Sequence, residues 1–316
     1  LREKFGEGVR IEAVNLDIGM VQQDALHIDL LATAKAYAEF HDNWEALLQR
    51  EADDLRRLSP DLVVANIPYL TLAACHQLGI PSVAYCSLNW AEIHQYYFNA
   101  DAPASKRYAQ MMQAYNAAEC FLQPAPAMEM PGIQNGVPIG PVAQIGSDRR
   151  AELRSRLGLS ASEFLVLLSL GGMDVEAFCD NWPGFDGIRF LVPQSWNSSH
   201  PDMLALESLG YPFVVLMRSV DVLVAKPGYG SFVESACTAT PVLYLPREAW
   251  PEVPVLVRWL ERHGRCQEIS YETFRSGKLA EPIRELMEHG VPKTITPSGV
   301  NEAVDHICSY LPAFAD

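Results

Sequence analysis

Two glycine-bearing turns, each closing an apolar run, are the stretches of this chain best suited to holding an anion. The first ends EFLVLLSLGG (163–172) with Gly171 and Gly172. The second, KPGYGS (226–231), joins the run Val222 to Ala225 to an amphipathic segment, and a further apolar run follows from Val242 to Leu245. Glycines such as Gly228 and Gly230 let a backbone approach a ligand closely, and a helix start offers free N–H groups and a positive dipole end. The chemistry this suits is phosphate or nucleotide binding. The competing reading is an ordinary strand–helix turn whose glycines meet a steric need, a common occurrence for short glycine motifs. Two such turns at two strand ends favour the phosphate. The helix is expected to begin at Gly230 or Ser231, with Ser231 as N-cap and Glu234 in a capping-box relation to it. Glu234 could equally accept hydrogen bonds from a ribose diol. Trp196, just past IRFLVPQ (188–194), could stack on a base, although a loop tryptophan is more often packing.

Other polar residues follow strand-like runs: Asp17, Asn66, Ser87, Asn89 and Trp90 in the first half, and Asp174, Lys226, Arg247, Glu248 and Glu252 in the second. In parallel sheets ligands bind at the carboxyl ends of strands. His27 and Asp24, three apart, could form a general base with an orienting carboxylate, against the plainer reading of an incidental surface pair. There is no G-x-S-x-G elbow, no H-E-x-x-H and no G-x-x-x-x-G-K-[ST], so serine hydrolase, zincin and P-loop chemistry find no support. No Asp-x-Asp pair is present either, so neither a metal site nor a resident cofactor is expected.

The elements that must position these residues alternate. The expected order is a strand at Val9 to Leu16, a long helix from about Ile28 to Leu58, a strand at 62–67, a helix from Thr71 to Leu78 and a strand within 81–90. Helix follows over 91–118, interrupted at 100–105. QPAPAMEMPGIQNGVPIGPV (123–142) carries five prolines and is the expected interdomain linker. Helices at 147–157 and 174–181, strands at 163–172, 188–194 and 266–269, and helices at 251–263 and 271–289 continue the pattern. Strand–helix–strand order implies parallel sheets with helices on their faces. The expected units are 1–142, 143–296 and a C-terminal helix in 297–316 that returns toward the first domain.

At 316 residues the length suits two domains. The formal charge of −15 opposes non-specific attraction to nucleic acid or anionic lipid. No apolar run of about 18 residues exists, so no membrane span is expected, and no signal peptide is evident. The chain opens on Leu1 in an ionic stretch, as a chain beginning inside a longer protein would. Seven cysteines, widely spaced and without a C-x-x-C pair, suggest a reducing, cytoplasmic setting.

Over AKPGYGSFVESACTATPVLYLPR and the following WPEVPVLVRWLERHG the chain resembles the donor-nucleotide half of glycosyltransferases with two Rossmann domains, the GT-B type. It is most similar to the group containing the lipid II-forming N-acetylglucosaminyltransferase (family 28-like) and to the glycosyltransferase-like region of some sugar kinases. DLVVANIPYLTLAACHQLGIPSVAYCSLNW resembles the acceptor-side domain more loosely. The resemblance implies an α/β fold of two Rossmann-like domains facing across a cleft. It implies metal-independent transfer of a sugar from a nucleoside-diphosphate sugar, such as a UDP-sugar, to an acceptor. Glu234 would bind the ribose, Gly171, Gly172, Gly230 and Ser231 would meet the diphosphate, and Glu252 would face the donor sugar. Relatives usually begin with a strand and a Gly/His-rich loop that often supplies the base. This chain starts after that position, so the base is expected in a preceding segment, replaced by a residue such as His27 or Asp24, or absent. A nucleotide-sugar 2-epimerase on the same fold and a non-catalytic nucleotide-binding relative are the alternatives.

Overall fold

The computed structural model describes residues 8–23, 27–99, 102–171, 179–247, 249–290 and 293–311. Asp24, Gly172, Asp174 and Glu248 lie outside the described residues. Two parallel sheets organise the rest.

The N-terminal sheet holds β1 (Val63–Ala65), β2 (Ser82–Tyr85), β3 (Cys120–Pro124) and β4 (Gly136–Ile139), side by side in chain order. Around it pack α1 (Leu30–Asp42), α2 (Trp44–Leu58), α3 (Tyr69–Leu78), α4 (Trp90–Phe98) and α5 (Ala102–Asn116). Tyr37, Tyr69, Tyr115, Phe121, Ile93 and Met111 are fully buried between them. The long helix expected over 28–58 is two helices. It breaks at Asn43, whose side-chain amide donates to the Glu39 carbonyl at 2.8 Å, a local bond that competes with the helical ladder. The strand expected from Val9 to Leu16 does not form. Among the described residues nothing pairs with it, and Val9 and Val14 are 46% and 64% exposed. Alternation without a partner for the backbone groups makes no strand. The segment read as a linker contains β4, which pairs in parallel with β3 from Phe121↔Gly136 to Pro124↔Ile139. As an edge strand β4 tolerates Pro138, which has no N–H to give to a ladder.

The C-terminal sheet is built from β5 (Phe164–Ser169), β6 (Ile188–Val192), β7 (Met203–Ala205), β8 (Val222–Ala225), β9 (Val242–Tyr244) and β10 (Cys266–Glu268), in the spatial order β10-β9-β8-β5-β6-β7. That is the Rossmann order 3-2-1-4-5-6 read from the other edge, so the direction of winding reverses between β5 and β8. Both strands read as unbroken apolar runs because both faces are covered; every residue of β8 is fully buried. At their amino ends Asp221 is gripped by Arg150 and by Arg154, the latter at 2.9 Å, and accepts the Leu165 amide at 2.8 Å. The helices here are α6 (Arg150–Leu157), α7 (Phe213–Ser219), α8 (Tyr229–Thr238), α9 (Val253–His263), α10 (Tyr271–Arg275) and α11 (Ala280–Glu288). The last two replace a single expected helix. Between them Gly277 takes φ +70° under the ring of Trp182, where a side chain would clash.

The two units are joined at more than the linker. Helix α12 (Gly299–Ser309) packs Ala303 and Ile307 on Val83, Leu122 and Ile139 of the N-terminal sheet. Gly299 there lies so close to Gly140 that a Cβ would stand 2.0 Å from the Gly140 carbonyl oxygen. On the other side Trp250, after β9, is buried in the N-terminal core cluster with Ile67, Leu88 and Met130.

Candidate functional site

Because the winding reverses between β5 and β8, the loops at their carboxyl ends diverge, which is where such sheets bind their ligands. Gly171 follows β5, and Lys226, Gly228 and Gly230 follow β8. Lys226 bridges the two turns: its Nζ donates to the Gly171 carbonyl at 3.0 Å. Helix α8 starts one or two residues earlier than the sequence suggests, at Tyr229, with Gly228 as N-cap and no side-chain capping bond. Ser231 therefore sits in the first turn rather than at the cap. Among the described residues no acceptor meets the amides of Tyr229, Gly230 and Ser231, so the helix start is open to an anion.

The glycines themselves discriminate between the two readings of these turns. Gly171, Gly228 and Gly230 do not adopt positive φ. A Cβ built at Gly171 or Gly230 would meet nothing described within 4 Å, and one at Gly228 only the Lys226 carbonyl oxygen at 4.0 Å. Neither the backbone conformation nor a protein neighbour requires glycine here. What the missing side chains leave is room in front of the helix start.

Glu234, in the second turn of α8, does not cap Ser231. Its Oε1 accepts the amide of Gln144, in the segment joining the two sheets, at 3.3 Å. Tyr229 is tied to the same segment and to the β3–β4 loop: its hydroxyl accepts the Val142 amide at 3.1 Å and donates to the Ala125 carbonyl at 3.0 Å. The first turn of the candidate phosphate helix is thus held against the N-terminal domain, a role the sequence did not signal for Tyr229.

Glu252, ahead of α9, is only 5% exposed. It accepts from Ser87 Oγ at 2.6 Å, from the other domain, and from Trp250 Nε1 at 3.3 Å. Burial pushes its carboxyl above the ordinary carboxylate range, against the opposing effect of these bonds and of Arg247. Arg247 lies over the Trp250 ring, 4.4 Å from its centroid, and the Tyr97 hydroxyl donates to the Ala249 carbonyl. The β9–α9 loop is therefore seated on the N-terminal domain, with Glu252 inside the seam.

The remaining candidates are spread out. Trp196 ends a 3-10 turn, Gln194–Trp196, after β6, and packs partly buried on the C-terminal core. His27 is exposed, beside the isolated bridge of Gln22 to Ile28, and its carbonyl accepts the Gln23 amide at 2.9 Å. Asp17, expected at a strand end, lies on a segment that pairs with none of the described strands. Its Oδ2 accepts Trp90 Nε1 at 3.0 Å, and burial raises its pKa. Among the described residues no group of three or more His, Cys, Asp or Glu side chains is arranged to hold a metal ion. No described helix is long and apolar enough to cross a membrane.

This arrangement of two Rossmann-like domains, with glycine turns at the switch point of the second, is the GT-B fold. Solved glycosyltransferases share it. The calicheamicin glycosyltransferase CalG4 superposes with a TM-score of 0.60 at 13% identity, covering 91% of this chain and 82% of that one. The spinosyn rhamnosyltransferase SpnG does so with a TM-score of 0.50 at 15% identity, over 88% of this chain and 78% of that one. The UDP-GlcNAc 2-epimerase of Neisseria meningitidis, bound to UDP-GlcNAc, gives a TM-score of 0.51 at 14% identity over 85% and 80%. In sequence the chain is 25% identical over 265 residues to L-arabinokinase of Arabidopsis thaliana, covering 80% of this chain. It spans about a quarter (25%) of that relative's length. No family model matches.

Proposed function

We propose that the chain binds a nucleoside-diphosphate sugar at the β5/β8 switch point and transfers the sugar to an acceptor held against the N-terminal domain. The observation that carries this is the open helix start. The amides at Tyr229, Gly230 and Ser231 have no acceptor among the described residues, and the glycines in front of them face empty space without any conformational need for glycine. The GT-B fold supports the same reading.

On this reading the acceptor oxygen bonds to the anomeric carbon as the bond from that carbon to the diphosphate breaks. The nucleoside diphosphate leaves with the electron pair, and a base takes the acceptor's proton. The α8 amides, with Lys226 beside Gly171, would stabilise the leaving diphosphate without a metal ion. Glu234 would turn from Gln144 to the ribose hydroxyls, Trp196 would lie on the base side and Glu252 near the sugar. The two domains would keep water from the donor. His27 is the candidate base on the acceptor side. A cytoplasmic setting, suggested by the cysteine pattern, belongs to the same proposal.

Calorimetric titration with UDP and other nucleoside diphosphates tests the pocket. Saturable binding that weakens in Glu234→Ala is expected; no binding by any of them, with the variant indistinguishable from wild type, rejects the reading. Transfer or donor hydrolysis then separates an enzyme from a non-catalytic binder, and epimerisation of the free donor would identify the 2-epimerase alternative.

A further inference from the structure

A cavity of about 500 Å³ lies along the domain seam, and none of the glycine-turn residues lines it. Tyr96 of α4 and Met128 and Glu129, past β3, come from the N-terminal domain, whereas Arg247, Trp250 and Arg258 come from the β9–α9 side. Proline and valine side chains of the loop and of α9 complete an otherwise apolar wall. Two guanidinium groups in one small cavity are unusual in a chain of net charge −15. Among the described residues neither Arg247 nor Arg258 makes an ion pair or a hydrogen bond. Elsewhere Arg150 and Arg154 are committed to Asp221 and Arg56 to Asp53. Arg247 is half-buried, with its guanidinium carbon 4.4 Å from the Trp250 ring centroid, and burial works against its charge. A planar donor fork, seated over an aromatic ring and partly stripped of water, is suited to two-point recognition of a carboxylate or phosphate.

We propose that this seam cavity binds a small organic anion, its carboxylate or phosphate on Arg247 and Arg258 and its apolar body along Trp250, Met128 and the valines. Glu129, also in the lining, repels a second negative charge and accepts from a hydroxyl or amine, so the ligand carries one anionic end. On the transferase reading, on which this last step rests, the ligand is an acidic acceptor and the cavity is where its charged end is held.

The test is calorimetric titration of the 316-residue chain with hexanoate, hexyl phosphate and neutral hexan-1-ol. At least one of the two anions is expected to bind saturably at one site, with the alcohol roughly tenfold weaker or worse, and which anion binds tighter separates a carboxylate from a phosphate ligand. Arg247→Gln should weaken the anion roughly tenfold or more, and Glu129→Gln should tighten it by removing repulsion. Circular dichroism checks each variant's fold, and Arg258→Gln substitutes if Arg247→Gln is not folded. Binding of the alcohol as tight as the anions, no saturable anion binding, no effect of the arginine substitution, or weaker binding in Glu129→Gln overturns the proposal. A UDP titration of the same wild-type protein reports the donor site separately, so either site can fail alone.

Discussion

Ser87 Oγ donates to Glu252 Oε1 at 2.6 Å, and this buried bond spans the two domains. Ser87 leaves the carboxyl end of β2 and Glu252 follows β9, so the exit loops of both sheets meet there. The same loop sends Trp250 into the N-terminal core. The exit loop of β2 and the loop carrying Trp250 and Glu252 are thereby parts of one packed seam.

The Glu252 carboxyl is held above its ordinary range by burial, so folding favours its protonated form. For a raised carboxylate the native state binds the proton more tightly than the unfolded chain. Its contribution is fully present below the unfolded pKa of about 4.3 and is lost as pH rises from there through the raised folded value. Glu252→Gln, neutral throughout, should flatten this dependence. Thermal melts of wild type and variant across the acidic range should diverge as pH rises, with the wild type falling relative to the variant; parallel curves would contradict the assignment.

Trp250 is 8% exposed and packs among residues of the other domain. Trp250→Ala should cost about 3–5 kcal/mol, the usual range for a large buried aromatic. Because the loss falls on the seam, urea unfolding should separate into two transitions where the wild type shows one. A single transition shifted by less than about 1 kcal/mol would show that the loop does not couple the domains.

Gly230 offers a sharper test of the phosphate turn. Alanine there meets no described neighbour within 4 Å and is a better helix residue. Gly230→Ala should leave stability unchanged or raise it by up to about 1 kcal/mol. The added methyl should intrude on a bound diphosphate and cost about 1–3 kcal/mol of UDP affinity. Stability from denaturation and affinity from titration should therefore move in opposite directions.

Tyr229→Phe removes the donor to the Ala125 carbonyl and leaves the Val142 amide without its acceptor. A stability loss of about 1–3 kcal/mol is expected. Amide hydrogen exchange should rise at Val142 in the variant, while an unchanged rate would mean that water replaces the hydroxyl at no cost.

Much of this fold was legible from local pattern. The apolar runs of β5, β8 and β9 had to be buried on both faces, which dictates parallel pairing under helices. The turn at Gly228 and Gly230 showed where the backbone was left bare. Helix ends read less well: the start of α8 is set by the register of the chain leaving β8, so Ser231 falls inside the helix. β4 hid among prolines because an edge strand needs a ladder on one side only. Val9 to Leu16 had a strand's alternation but no neighbour to complete it.

By itself, then, the chain determined most of its elements and where the two glycine turns fall, since those follow from side-chain period and from the steric freedom of the residue at each turn. Only the tertiary structure decided that Glu252 belongs to a seam with Ser87, that Tyr229 and Glu234 answer to the segment joining the sheets, and that Arg247 and Arg258 share a cavity. These pairings bridge distant parts of the chain, and nothing in local periodicity encodes which exit loop of one sheet will face which loop of the other. That is settled by packing the two domains together, with Trp250 of the second seated in the core of the first.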